Sequence, residues 1–294
     1  MEREVWKSAL YSIFIFCYLL ENSRRDKREI INYSSRNSSV VLFSLVVSIL
    51  WVLIPICPTY AQTDVLSTGK AKFFVALMRA DFHSQNDLVE IYSSYLNNDD
   101  IALSHPNEEN LGNTMQLPGI HGVQYFSLSE IMLNVDSLKT RGVDIVSYDL
   151  EKENASSQEL KDPVASVKTA SEAVHKNNMR FMISPSMMLT ADFGTRFAPF
   201  VDIYNIQAQS LQSRPNEYND FVEQTVRELR SVNPEISIIA QVSTARGSLE
   251  GMKESIALVI DIVDGTSSWY TDDREGLNRL NSFVKWFNNN YRKE

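Results

Sequence analysis

Residues 72–268 alternate short β-rich runs with amphipathic helical windows, and no other feature of the chain restricts its fold so tightly. Eight runs stand out, at 72–78, 101–104, 123–126, 143–150, 180–184, 201–207, 236–242 and 262–268. Helical windows separate most of them. Asp162-Pro163 reads as an N-cap followed by a helix-favouring proline, and Val164, Val167, Ala170 and Val174 then form one apolar stripe. Phe221, Val222, Val226 and Leu229 form a second stripe, ended by Pro234; Leu277, Leu280, Phe283, Val284 and Phe287 form a third. Eight strands alternating with helices predict a (β/α)8 TIM barrel over 62–294, with an open doubly wound sheet as the other arrangement. Between the second and third runs, "HPNEENLGNTMQLPGIHG" reads as a long loop without a helix. The sequence contains no internal repeat and no low-complexity segment.

Charge and the N-terminus constrain partners. The chain of 294 residues carries a net charge of −9. Seven Lys/Arg and five Asp/Glu fall in residues 1–61, which leaves 62–294 at −11. Phosphate backbones require clustered Lys/Arg, so nucleic acid is not an expected partner. Residues 40–56, "VVLFSLVVSILWVLIPI", form an uncharged apolar run preceded by Arg36 and by a basic cluster at Arg24, Arg25, Lys27 and Arg28. "PTYAQT" follows, with Thr59 and Ala61 at the small-residue positions of a cleavage site. Residues 1–61 therefore read as a leader holding a secretory signal cut after Ala61, or else a retained membrane anchor. Either way the body is expected outside the cell or on its surface, touching membrane only through this segment. The cysteines are Cys17 and Cys57, so a body cut after Ala61 has none, which excludes thiol catalysis and cysteine metal sites there. No oligomeric state follows from the sequence.

In such barrels functional residues sit at the C-terminal ends of strands, and strand side chains alternate between faces. Late polar residues at period two are therefore the candidates. Strand four offers Ser147, Asp149 and Glu151; strand five Ser184 and Ser186; strand six Asn205, Gln207 and Gln209. Strand seven offers Gln241 and Ser243, and strand eight Ser267 and Trp269. Arg79, Asp81 and His83 follow strand one; Ser104 and His105 follow strand two. Carboxylates, amides and an indole together suit a carbohydrate cleft, because amides pair with hydroxyls and an indole face stacks on a sugar ring. The four histidines, His83, His105, His121 and His175, show no zinc spacing, and there is neither a GxSxG elbow nor a glycine-rich phosphate loop. No metal and no cofactor is implied.

Asp149 and Glu151 lie two apart on one face. Ionising one raises the pKa of the other, so the pair can hold one proton near neutral pH, as a general acid requires. Residues 144–151, "DIVSYDLE", resemble the DxxDxDxE signature on strand four of family-18 glycoside hydrolases, the chitinase-like barrels. Asp144, Asp149 and Glu151 match; Ser147 stands where that family has its middle Asp, and Ile145 replaces its usual Gly. The resemblance implies that Glu151 is the acid/base and that Asp149 positions an N-acetyl group whose carbonyl attacks the anomeric carbon. It also places Tyr204-Asn205 at the family's strand-six Tyr-Asp pair and Trp269 on the floor of the sugar site, although alternation favours Asn205 over Tyr204 facing inward. The expected activity is that of a glycoside hydrolase-like protein acting on a polysaccharide or cell-surface glycan. The expected contacts are Asn205, Gln207, Gln241, Trp269, Tyr204 and Ser184. A barrel that binds glycan without cleaving it, and a barrel hydrolase or lyase of another class using Asp81 or His105, are the alternatives.

Overall fold

The computed structural model describes residues 72–79 and 85–292. The leader, with its expected signal or anchor, and Asp81 and His83 lie outside the described residues. Among the described residues no helix is long and apolar enough to cross a membrane.

Eight parallel strands close into a barrel in sequence order. They are β1 (Phe73–Met78), β2 (Ile101–Ser104), β3 (Ile120–Tyr125), β4 (Ile145–Tyr148), β5 (Arg180–Ile183), β6 (Ile203–Ile206), β7 (Ser237–Ser243) and β8 (Gly265–Trp269). The helices that follow them are α1 (Gln85–Tyr95), α2 (Glu108–Thr114), α3 (Leu128–Leu138), the short α4 (Ser157–Lys161) with α5 (Pro163–Lys176), α6 (Met187–Phe197), α7 (Pro215–Val232), α8 (Leu249–Val259) and α9 (Arg274–Tyr291). An open sheet is thereby excluded, because β1 pairs with β8 through Phe73–Gly265, Phe74–Thr266 and Val75–Ser267.

Helix starts are written locally. The Asp162 side chain accepts from the Ala165 amide, with Pro163 in the first turn. Ser127 with Glu130, and Ser156 with Glu159, form capping boxes at α3 and α4. The apolar stripes bury where periodicity places them: Val167, Ala170 and Val174 on α5, and Leu280, Phe283, Val284 and Phe287 on α9, are fully enclosed. Each buried Val, Leu or Phe among them contributes about 1.5–3 kcal/mol.

The loop expected between β2 and β3 contains a helix. Asn107 caps α2 by accepting from the Asn110 amide at 2.7 Å. The buried positions of α2 are Asn110, Leu111 and Thr114, so two of its three inward residues are polar and no apolar stripe announces it. Thr114 Oγ1 instead returns its hydrogen to the Asn110 carbonyl at 2.8 Å. β3 also begins three residues earlier than the sequence suggests. Gly122, the last residue of the expected loop, faces inward opposite Leu103 of β2, and a Cβ there would lie 2.4 Å from Leu103 Cδ2.

The barrel's lower end carries a device the sequence conceals. Asp100, Asp202 and Asp264 each stand one residue before an even-numbered strand. Each accepts from the second amide of the preceding strand: Phe74 N at 2.7 Å, Phe181 N at 2.7 Å and Ile238 N at 2.8 Å. A charged acceptor on a backbone donor is among the stronger hydrogen bonds. Asp144 holds the same position before β4, although its side chain pairs with Lys139.

The closing seam tolerates no added methyl. A Cβ at Gly265 would lie 2.5 Å from the Phe73 carbonyl oxygen, a backbone atom that cannot step aside. Gly265→Ala should destabilise the fold by about 1–3 kcal/mol, read as a lower denaturant midpoint at unchanged slope.

Candidate functional site

At the upper end of the barrel a cavity of about 350 Å³ opens among the strand ends. Its lining includes Asp149, Glu151, Ser184, Asn205, Gln207, Gln241 and Trp269, together with Leu77, Gln124, Gln209, Ser243, Ala245 and Arg246. Most of the residues gathered from the ends of strands four to eight thus face one space, whereas Ser147, Ser186 and Ser267 are not part of its lining.

Alternation explains the convergence. Ser147 and Asp149 share the inward face of β4, whereas Tyr148 points outward and donates to Glu159 of α4. Asp149 lies just past the strand end and is clamped from both sides. Gln124 Nε2 of β3 donates to Oδ2 at 2.8 Å, and Gln207 Nε2 donates to Oδ1 at 2.9 Å. Gln207 Nε2 also reaches the Ser184 carbonyl at 2.8 Å. Gln209 Nε2 donates in turn to Gln207 Oε1 at 3.2 Å. A second chain runs beside it: Ser267 Oγ donates to Asn205 Oδ1 at 3.1 Å, and Asn205 Nδ2 donates to Ser184 Oγ at 3.2 Å.

The electrostatics favour a retained proton. Burial, reinforced by the neighbouring Glu151 charge, pushes the Asp149 carboxyl up to about 8. The amides of Gln207 and Gln124, and the charge of Arg79, pull it back only in part. Burial also raises Glu151, against the counter-pull of Gln207. Near neutral pH the pair therefore carries less than two negative charges.

Several expected residues are placed elsewhere. Tyr204 is fully enclosed on the outer face of β6, where its hydroxyl donates to Thr190 Oγ1 of α6 at 3.2 Å. It has no access to the cavity, because Asn205 takes the inward position. Asp144 stands at the lower end of β4, across the barrel from the cavity. The Trp269 ring lines the cavity, but the Arg79 guanidinium lies 3.7 Å from its centroid, so one face is taken within the protein. His105 is buried edge-on against Phe126, His121 contacts the Leu117 carbonyl, and His175 pairs with Asp202. Among the described residues no group of three or more His, Cys, Asp or Glu could hold a metal ion.

Two polar lining residues escaped sequence reasoning. Gln124 looks like an early residue of a strand beginning at 123, yet it is the fifth of six in β3, in register with Ser147. The available signal was a lone amide in an apolar run. Arg246 lies beyond β7 in a loop with no periodicity.

The fold and this cavity define a (β/α)8 barrel with a carboxylate pair at its mouth. No protein-family model matches the chain, and no curated protein matches it. Among solved structures it is similar to triosephosphate isomerase from Bartonella henselae, at 11% identity over 75% of this chain and 99% of that one, with a TM-score of 0.47. It is similar also to the carboxyl transferase domain of Rhizobium etli pyruvate carboxylase, at 10% identity over 78% of this chain and 49% of that one, TM-score 0.47. A Schiff-base-forming fructose-1,6-bisphosphate aldolase aligns at 11% identity over 74% of this chain and 94% of that one, TM-score 0.45.

Proposed function

We propose that the chain is a glycoside hydrolase-like barrel acting on a polysaccharide or cell-surface glycan outside the cell, with Glu151 as general acid/base and Asp149 as its partner. The observation that carries this reading is the convergence of two carboxyls, both raised by burial and Asp149 further by the Glu151 charge, on a cavity otherwise lined mostly by amides and hydroxyls. Its volume falls at the small end of ligand pockets. In this reading Glu151, nearer the mouth, protonates the leaving oxygen, and no cofactor is required. Asp149, held by Gln124 and Gln207, orients the substrate group that attacks the anomeric carbon, as the family-18 resemblance implies. The bonds from both amides fix the carboxyl plane before substrate arrives, so little reorganisation accompanies the reaction.

A non-catalytic glycan-binding barrel is favoured by one observation. Ser147 Oγ is buried below Asp149 and has no hydrogen-bond partner among the described residues. The family's middle Asp is absent there, and with it a second carboxylate to share the proton as it cycles.

Hydrolysis of chromogenic β-glycosides and N-acetylated oligosaccharides separates the two. The catalytic reading expects turnover that falls at least about 100-fold in Glu151→Gln. Binding without turnover in the unaltered protein supports the second reading. Turnover unaffected by the substitution removes Glu151 from the chemistry.

A further inference from the structure

The lining divides into groups already engaged and groups free to meet a ligand. Gln124, Gln207, Asn205, Ser184 and Ser267 are used in the two chains around Asp149. Gln241 is not. It is 8% exposed, lines the cavity, and its Oε1 is buried without a hydrogen-bond partner among the described residues. Leaving such a group unpaired costs about 1–3 kcal/mol, so the position is unfavourable for the fold alone. Gln209 Oε1 is likewise buried without a partner among the described residues, its Nε2 being engaged.

On the same side stands Arg246. It lines the cavity, and no carboxylate lies within ion-pair distance of it among the described residues. Its loop is held firmly. Fully buried Gln212 accepts from Ser243 N at 2.7 Å and donates to the carbonyls of Ser243 and Arg246. From α9, Arg279 donates to the Thr244 and Gly247 carbonyls at 2.8 and 2.9 Å. Gly247 adopts φ +86°, which lets the chain turn directly after the arginine. Arg246 itself is exposed, and these bonds fix its backbone at the cavity rim, where the planar fork can reach a ligand.

We infer that the glycan carries an anionic group, a carboxylate or a sulfate ester, read by Arg246 while Gln241 pairs with a hydroxyl or amide on the same ring. This rests on the glycan reading above and adds the class of sugar. A guanidinium on a carboxylate or sulfate is a charge-assisted, often bidentate pair. Asp149, deeper in the cavity, opposes an anion least while it keeps its proton.

The test is calorimetric binding of oligouronides and of sulfated oligosaccharides, each beside its carboxyl-reduced or desulfated counterpart, to the full chain carrying Glu151→Gln so that turnover does not intrude. The inference expects one acidic series to bind roughly 10- to 100-fold more tightly than its neutral counterpart. That preference should vanish in Arg246→Gln and survive in part in Arg246→Lys. Which series responds identifies the anion. Equal binding of acidic and neutral members overturns the inference and leaves the glycan reading standing. Binding of neither overturns both. An acidic preference that persists in Arg246→Gln overturns the role of that arginine.

Discussion

The protein should lose stability as pH rises from 5 to 9, and Asp149→Asn should remove most of that loss. In the folded state Asp149 titrates at about 8, whereas an unfolded aspartate titrates near 3.9. Between those values the native chain holds a proton that the unfolded chain has released. Stability then falls with pH, because its slope follows the protons bound by the unfolded state minus those bound by the native. The contribution is whole below the unfolded pKa and is lost as pH rises through 8. Burial causes the shift first and the Glu151 charge second, so asparagine, which has no proton to lose, escapes both. Over this window the effect is on the order of a few kcal/mol. At pH 5 the variant should be somewhat less stable, since an asparagine cannot accept from both Gln124 and Gln207 without one amide turning. The stability curves of the two proteins should therefore cross. Denaturant midpoints at intervals from pH 5 to 9 would show it; equal slopes in both proteins would refute the burial of a protonated Asp149.

Removing one partner of the ion pair beneath the barrel should cost about 3–5 kcal/mol. Asp100 is fully enclosed, and the Arg292 side chain is 6% exposed. Arg292 pairs with Asp100 Oδ1, donates to the Tyr95 carbonyl at 2.6 Å and ties the end of α9 to the start of β2. Asp100 also accepts from Phe74 N and Asn97 N, each at 2.7 Å. Burial raises the Asp100 carboxyl and Arg292 lowers it again, so each ion is tolerable only because of the other. Arg292→Ala leaves a buried carboxylate with two amide donors and no counter-charge. Loss of about 3–5 kcal/mol in unfolding experiments is expected, whereas a change under about 1 kcal/mol, the range of exposed pairs, would show the pair to be wet. A double substitution that removes both charges should cost less than Arg292→Ala alone.

The lower-end aspartates change the meaning of the opening acid in "DIVSYDLE". As a string, Asp144 counts as a third match to a catalytic signature. In the fold it shares its position with Asp100, Asp202 and Asp264, one residue before an even-numbered strand, at the end of the barrel that bears stability rather than chemistry. The part of the signature that reaches the cavity is Asp149 and Glu151.

Local rules determined what they govern. Alternating β-rich runs and apolar stripes produce the eight strands and most helices, because burial on one face leaves a period in the sequence. The same period-two rule turned Asp149, Asn205, Gln207 and Gln241 inward and Tyr204 outward. Only the tertiary structure decided what depends on neighbours across the sheet. Gly122 is a strand residue because Leu103 lies beside it, and α2 folds on polar inward residues that no hydropathy pattern marks. Gln124 clamps Asp149 from the adjacent strand, and Arg79 occupies a face of Trp269. These contacts join residues 19 and more positions apart, and a single sequence records the type of each residue but not the partner that fixes its role.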